Sequence, residues 1–108
     1  MISLIKRNII EMMYKINLNS ADCNYIDIYI YDKMHDVMDL IKETEDYYNI
    51  EVNKLIQYIK YYFNKYIKHF HSYNFKPYNY DEITKVLETC ILSIQAIEKI
   101  DNKLKYVV

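Results

Sequence analysis

Three His, two Cys and fifteen acids are the residues of this chain that could do metal, nucleophilic or acid–base chemistry, and their spacing limits which of these is open to them. His69 and His71 stand two apart, which on a helix turns them about 200° from one another. A helical metal pair needs a separation of three or four instead. His35 and Asp39 have that spacing, and Asp32, Asp36 and Glu43 extend the same strip, as a set of oxygens for a divalent cation would. The strip falls opposite the apolar face of its helix, however, so the expectation is a solvated acidic surface and no metal. An inward-facing Glu-x-x-His pair, as in di-iron bundles, is missing. Cys23 and Cys90 both fall on apolar faces, where a thiol is buried and inert. Ser3, Ser20 and Ser93 lie in no nucleophile motif. The chain contains no Gly, and Gly is what lets a backbone close on a phosphate. This removes the P-loop, the dinucleotide fingerprint and the Gly-containing nucleophile elbow. The sequence therefore predicts no enzyme and no cofactor.

Recognition chemistry is better represented. Lys54, Tyr58, Tyr61, Lys65 and Lys68 recur at helical spacing over about 21 Å. Lys neutralises phosphates and exposed Tyr stacks on unpaired bases. Tyr equally anchors protein interfaces, because it buries a large area at small entropic cost. Against nucleic acid stand a single Arg and a net charge of −1. The near-neutral total hides a division. Residues 20–51 carry nine acids and two Lys, while residues 52–80 carry five Lys and no acid. The acidic strip Asp32, Asp36, Asp39 and Glu43 and the basic Lys–Tyr face are thus both candidate partner-binding surfaces, able to steer a charged protein. The function expected is a non-enzymatic protein–protein interaction module. The alternative is a helical module that binds nucleic acid through its Lys/Tyr face.

Four apolar stripes of helical period must position these residues. Expected helices span 2–18, 21–48, 50–73 and 80–104, giving a single all-α domain over 1–108, a small bundle with mostly antiparallel neighbours. In the first, Ile2, Ile5, Ile9, Met12, Met13 and Ile16 share a face, and Asn17 and Asn19 end it. Ser20 or Asp22 caps the second. Tyr25 to Tyr31 alternates like a strand, yet Cys23, Ile26, Ile30, Met34, Val37 and Ile41 step by three and four, so helix is expected. Asn49 is the expected cap of the third helix. The apolar phase barely shifts across it, so one continuous helix over 21–73 is the alternative, roughly 75–80 Å long and in need of a partner. Val52, Leu55, Ile56, Ile59, Phe63, Tyr66, Ile67 and Phe70 form the core column of the third helix. The segment from Ser72 to Asn79 is the clearest break and holds the only Pro, Pro77. Asn79 with Glu82 resembles a capping box for the last helix. That helix buries Ile83, Val86, Leu87, Cys90, Ile94 and Ile97. It also carries Leu92, Ala96 and Ile100 on its back, which predicts an oligomer interface, a homodimer being the simplest.

Composition adds origin and compartment. The chain has 18 Ile, 14 Tyr, 13 Lys and 10 Asn against no Gly, one Pro, two Ala and one Arg, the mark of A/T-rich codons. With small size and no catalytic motif, this suits a viral or mobile-element protein that binds and inhibits a host factor. No apolar run nears the roughly 18–20 residues needed to cross a bilayer. The amino terminus, with Lys6, Arg7 and Glu11, has no apolar signal segment. A cytoplasmic protein with free thiols is expected, in the host cytoplasm if it is viral.

Overall fold

The computed structural model describes residues 2–19, 23–43, 50–72 and 77–106, without the side chains of Asn19, Cys23, Asn24 and residues 100–106. Its elements are helices alone: α1 (Ile2–Asn19), α2 (Cys23–Lys42), α3 (Ile50–Phe70) and α4 (Tyr80–Tyr106), with no strand among the described residues. Each helix turns one stripe inward. Ile5, Ile9, Met12 and Ile16 come from α1, and Ile26, Ile30, Met34, Val37 and Ile41 from α2. Val52, Leu55, Ile56, Ile59, Phe63 and Tyr66 come from α3, and Ile83, Val86, Leu87, Cys90, Ile94 and Ile97 from α4. Burying each of the larger of these side chains stabilises the fold by about 1.5–3 kcal/mol, and packing rather than propensity holds such Ile- and Tyr-rich helices.

The contacts are cyclic: α1 touches α2 and α4, and α3 touches α2 and α4. Paired residues rise along one helix as they fall along its neighbour. Lys33 of α2 bonds Glu11 of α1 while Lys15 of α1 lies over the Tyr25 ring; Lys6 of α1 pairs with Glu98 of α4 while Met13 lies beside Glu88 and Leu92; and Lys65 of α3 pairs with Glu82 of α4 while Tyr58 bonds Thr89. This is an up-down-up-down four-helix bundle.

The segment whose alternation resembles a strand is helical. Ile26 and Ile30 are fully buried while Ile28 is 54% exposed, whereas a strand would place all three on one face. The continuous rod is excluded by the packing of α2 on α3. The rings of Tyr31 and Phe70 stack with centroids 4.2 Å apart, but a straight helix would hold those residues roughly 60 Å apart. The second helix ends earlier than expected, at Lys42, with Glu43 in a turn. The expected caps at Ser20 or Asp22 and at Asn49 lie outside the described residues. The capping box at α4 is made only in half. Asn79 Oδ1 accepts from the Glu82 N–H at 3.1 Å, while the Glu82 carboxylate turns to α3, accepting from the Tyr66 hydroxyl at 2.9 Å and from Lys65 at 3.3 Å.

Candidate functional site: the charged faces and the aromatic end

The Lys–Tyr face is a ridge on the outward side of α3. Gln57, Lys60, Tyr61, Asn64, Lys65 and Lys68 line a shallow surface depression along it. Tyr61 stands out from the ridge, 68% exposed, propped edge-on by the Tyr62 ring at 5.0 Å. Tyr62 in turn packs on Tyr58 at 4.8 Å, and Tyr62 and Tyr66 stack at 6.4 Å. Tyr58, expected on the binding face, is turned toward α4. It is half-buried, shares a hydrogen bond with Thr89, and burial raises its pKa. Lys54, Lys65 and Lys68 are exposed as expected. Two of these charges are already answered, Lys54 by Glu51 at 3.6 Å and Lys65 by Glu82 at 3.3 Å. Lys68 makes no ion pair among the described residues. Half-neutralised, the ridge presents a weaker field to a phosphate backbone than its Lys count suggests.

Asp32, Asp36 and Asp39 are exposed on α2, and Glu43 is exposed in the turn that follows it. At 100° per residue their strip centres about 150° from the core stripe of α2, on the side of α1. The basic strip centres about 160° from the core stripe of α3, on the side of α4. The two strips therefore look out of different corners of the bundle, and one flat partner surface does not meet both. No group of three His, Cys, Asp or Glu able to hold a metal ion occurs among the described residues. The expected oligomer stripe on α4 is also divided. Leu92 faces a depression shared with Met13 of α1, whereas Ala96 lies in another with Leu55 and Tyr58 of α3. The side chain of Ile100 lies outside the described residues.

The most constrained polar chemistry sits where α3 hands over to α4. Asp27 of α2 is the one buried charged side chain among the described residues, 3% exposed. Its carboxylate accepts from the Tyr80 hydroxyl at 2.8 Å and from the Tyr78 backbone N–H. Burial pushes its pKa above the ordinary value. The two hydrogen bonds and the nearby His69 work in the opposite direction. Tyr78 is buried as well, its hydroxyl donating to the Tyr66 carbonyl at 2.9 Å, and desolvation raises the pKa of both phenols. The rings of Tyr66, Phe70 and Tyr78 close the same end. Asp27 thus ties the residues before α4 onto α2. Sequence reading counted it as one more acid of a charged helix. The missed signal is angular, since it lies only about 60° from the core stripe of α2. On the surface nearby, the Tyr31 hydroxyl and His71 Nε2 are 2.6 Å apart. This pair stands in solvent, without the closed pocket in which an acid–base couple is tuned. Cys90 is fully buried, and desolvation pushes its thiol up to about 12, far from a reactive thiolate. The side chain of Cys23 is outside the described residues.

Among the described residues, no helix is long and apolar enough to cross a membrane. Comparison with protein-family models, curated proteins and solved structures finds no match for this chain.

Proposed function

We propose that this bundle is a non-enzymatic interaction module, a single domain that docks another protein through the outward ridge of α3. The observation that carries the reading is Tyr61, 68% exposed on a rigid helix and buttressed by Tyr62. Free of Lys54, Lys65 and Lys68 it would be an isolated surface aromatic; among them it has the composition of an interface anchor with a charged rim. Tyr58 supports the ridge from its buried flank. The acidic strip Asp32, Asp36, Asp39 and Glu43 serves as a separate steering surface. The A/T-rich composition supports a viral or mobile-element origin, with the partner a host factor in the cytoplasm that the bundle inhibits by occupying it. The test is affinity capture from host lysate with the full chain. Tyr61→Ala and Lys68→Glu should each weaken capture of the partner at least tenfold without lowering the melting temperature. A partner retained undiminished by both variants places the docking face elsewhere.

The second reading, a nucleic-acid binder, draws on the same exposed Tyr61 set among Lys54, Lys65 and Lys68. It requires single-stranded RNA or DNA to bind at low salt, with affinity falling steeply as salt is added. No binding at low salt rejects it.

A further inference from the structure

A cleft of about 420 Å³ opens where α3 hands over to α4, between the last turns of one helix and the first turn of the other. Small ligands occupy clefts of about 300–1,000 Å³. Two buried residues lie at its base, Tyr66 and Tyr78, their rings meeting edge-on at 6.1 Å. Their hydroxyls are already spent. That of Tyr66 donates to Glu82 at 2.9 Å, and that of Tyr78 to the Tyr66 carbonyl at 2.9 Å. The base therefore turns ring carbon to the cleft. The half-buried His69 ring, 5.7 Å from that of Tyr78, and the exposed Pro77 extend this apolar lining. The rim has the opposite character. Lys65 and Lys68 stand on it with one acid, Glu82. Glu82 accepts from both Tyr66 and Lys65, so its charge is answered, whereas Lys68 makes no ion pair among the described residues. The other carboxylate of this end, Asp27, is buried and held by the Tyr80 hydroxyl and the Tyr78 N–H.

We infer that this cleft is a binding site for a small organic anion, with the ring of the ligand on the apolar base and its anionic group against Lys68. Each half of that chemistry answers one half of the cleft. A ring removes the base from water, which an inorganic ion does not do. An anionic group answers Lys68, which a neutral ring does not do. Cations are disfavoured, since the two carboxylates of this end are already bonded and Lys65 and Lys68 would repel them. The base is also preorganised. Asp27 holds Tyr78 from behind, Tyr78 holds the Tyr66 carbonyl, and Tyr66 holds Glu82. A ligand therefore has little more than the Lys68 side chain to order, which lowers the entropic cost of binding. The cleft shares Lys65 and Lys68 with the α3 ridge, but Tyr61 does not line it. The two readings are thus separable by experiment.

The test is a titration of the full chain with phenyl phosphate, followed by the backbone amide shifts in nuclear magnetic resonance. The amides of His69, Tyr78 and Glu82 should move together and saturate with a dissociation constant of about 1 mM, ordinary for a ligand of this size. The amide of Leu92, on the far side of α4, should stay in place. Inorganic phosphate and phenol, the two halves of the probe, should each bind about tenfold more weakly or worse. Lys68→Glu should weaken phenyl phosphate about tenfold, with helical circular dichroism unchanged, and Tyr61→Ala should leave its affinity as it was. Shifts that do not saturate by about 20 mM overturn the inference. So does either half binding as tightly as the whole, or an affinity that Lys68→Glu leaves unchanged. A loss on Tyr61→Ala as large as that on Lys68→Glu puts the probe on the ridge and overturns it too.

Discussion

Asp27 offers the sharpest test of how this bundle is tied together. Replacing it with Ala removes the acceptor of two donors at once. The Tyr78 N–H, in a residue only 4% exposed, loses its carboxylate, at a cost of about 1–3 kcal/mol for a buried donor left unmade. The Tyr80 hydroxyl loses a bond of about 1 kcal/mol. The sum is about 3 kcal/mol, a large share of the 5–15 kcal/mol expected for a domain of this size, and it corresponds to a melting temperature lower by about 12 °C or more. Asp27→Asn keeps an acceptor and removes a charge that burial disfavours, so its cost at neutral pH should stay within about 1 kcal/mol. Tyr80→Phe should cost about 1 kcal/mol, and in an Asp27→Ala background much less, because its partner is already gone. The pH dependence has a definite sign. Asp27 has its folded pKa raised above the ordinary 3.8, so the folded state holds its proton more tightly than the unfolded state. The stability linked to this group is complete below pH 3.8 and is lost as pH rises through the folded value. Acidification should therefore shift the wild type upward relative to Asp27→Asn. Urea denaturation at several pH values measures both effects. An Asp27→Ala penalty below about 1 kcal/mol, or equal penalties for Ala and Asn, would refute the latch.

Two further outcomes follow from the packing. Ile59→Ala should cost about 2–5 kcal/mol because Ile59 is fully buried, whereas Ile28→Ala should change stability by less than about 0.5 kcal/mol; denaturant midpoints read both, and a large Ile28 penalty would contradict the helical phase of α2. Lys33 bonds Glu11 at 2.6 Å across α1 and α2, and that hydrogen bond holds the Glu11 carboxyl below its ordinary value. Its contribution is present above pH 4.5 and lost as pH falls through the folded value. With both side chains partly solvated, Lys33→Met should cost no more than about 1 kcal/mol and less in high salt; a penalty insensitive to both salt and acid would mean the pair acts through packing alone.

Much of the fold was legible because the apolar residues keep helical phase so cleanly. Ile26, Ile30, Met34, Val37 and Ile41 outvote the strand-like alternation of Tyr25 to Tyr31, and the buried stripe follows them. The direction of individual polar side chains was harder to read. Asn79 and Glu82 have the spacing of a capping box, yet Glu82 has a better partner in Tyr66, which only the packing of α3 on α4 brings near. Tyr58 sits at the edge of the Lys–Tyr face by angle, and the neighbour on that edge decides that it is half-buried against Thr89. Ile10, Tyr14 and Leu18 were visible as apolar residues off the core period of α1. In a chain of 18 Ile and 14 Tyr, composition alone supplies such residues, and without a neighbour they carry no message. The bundle supplies the neighbour by setting Ile10 and Tyr14 beside Leu92 while leaving Leu18 on another side.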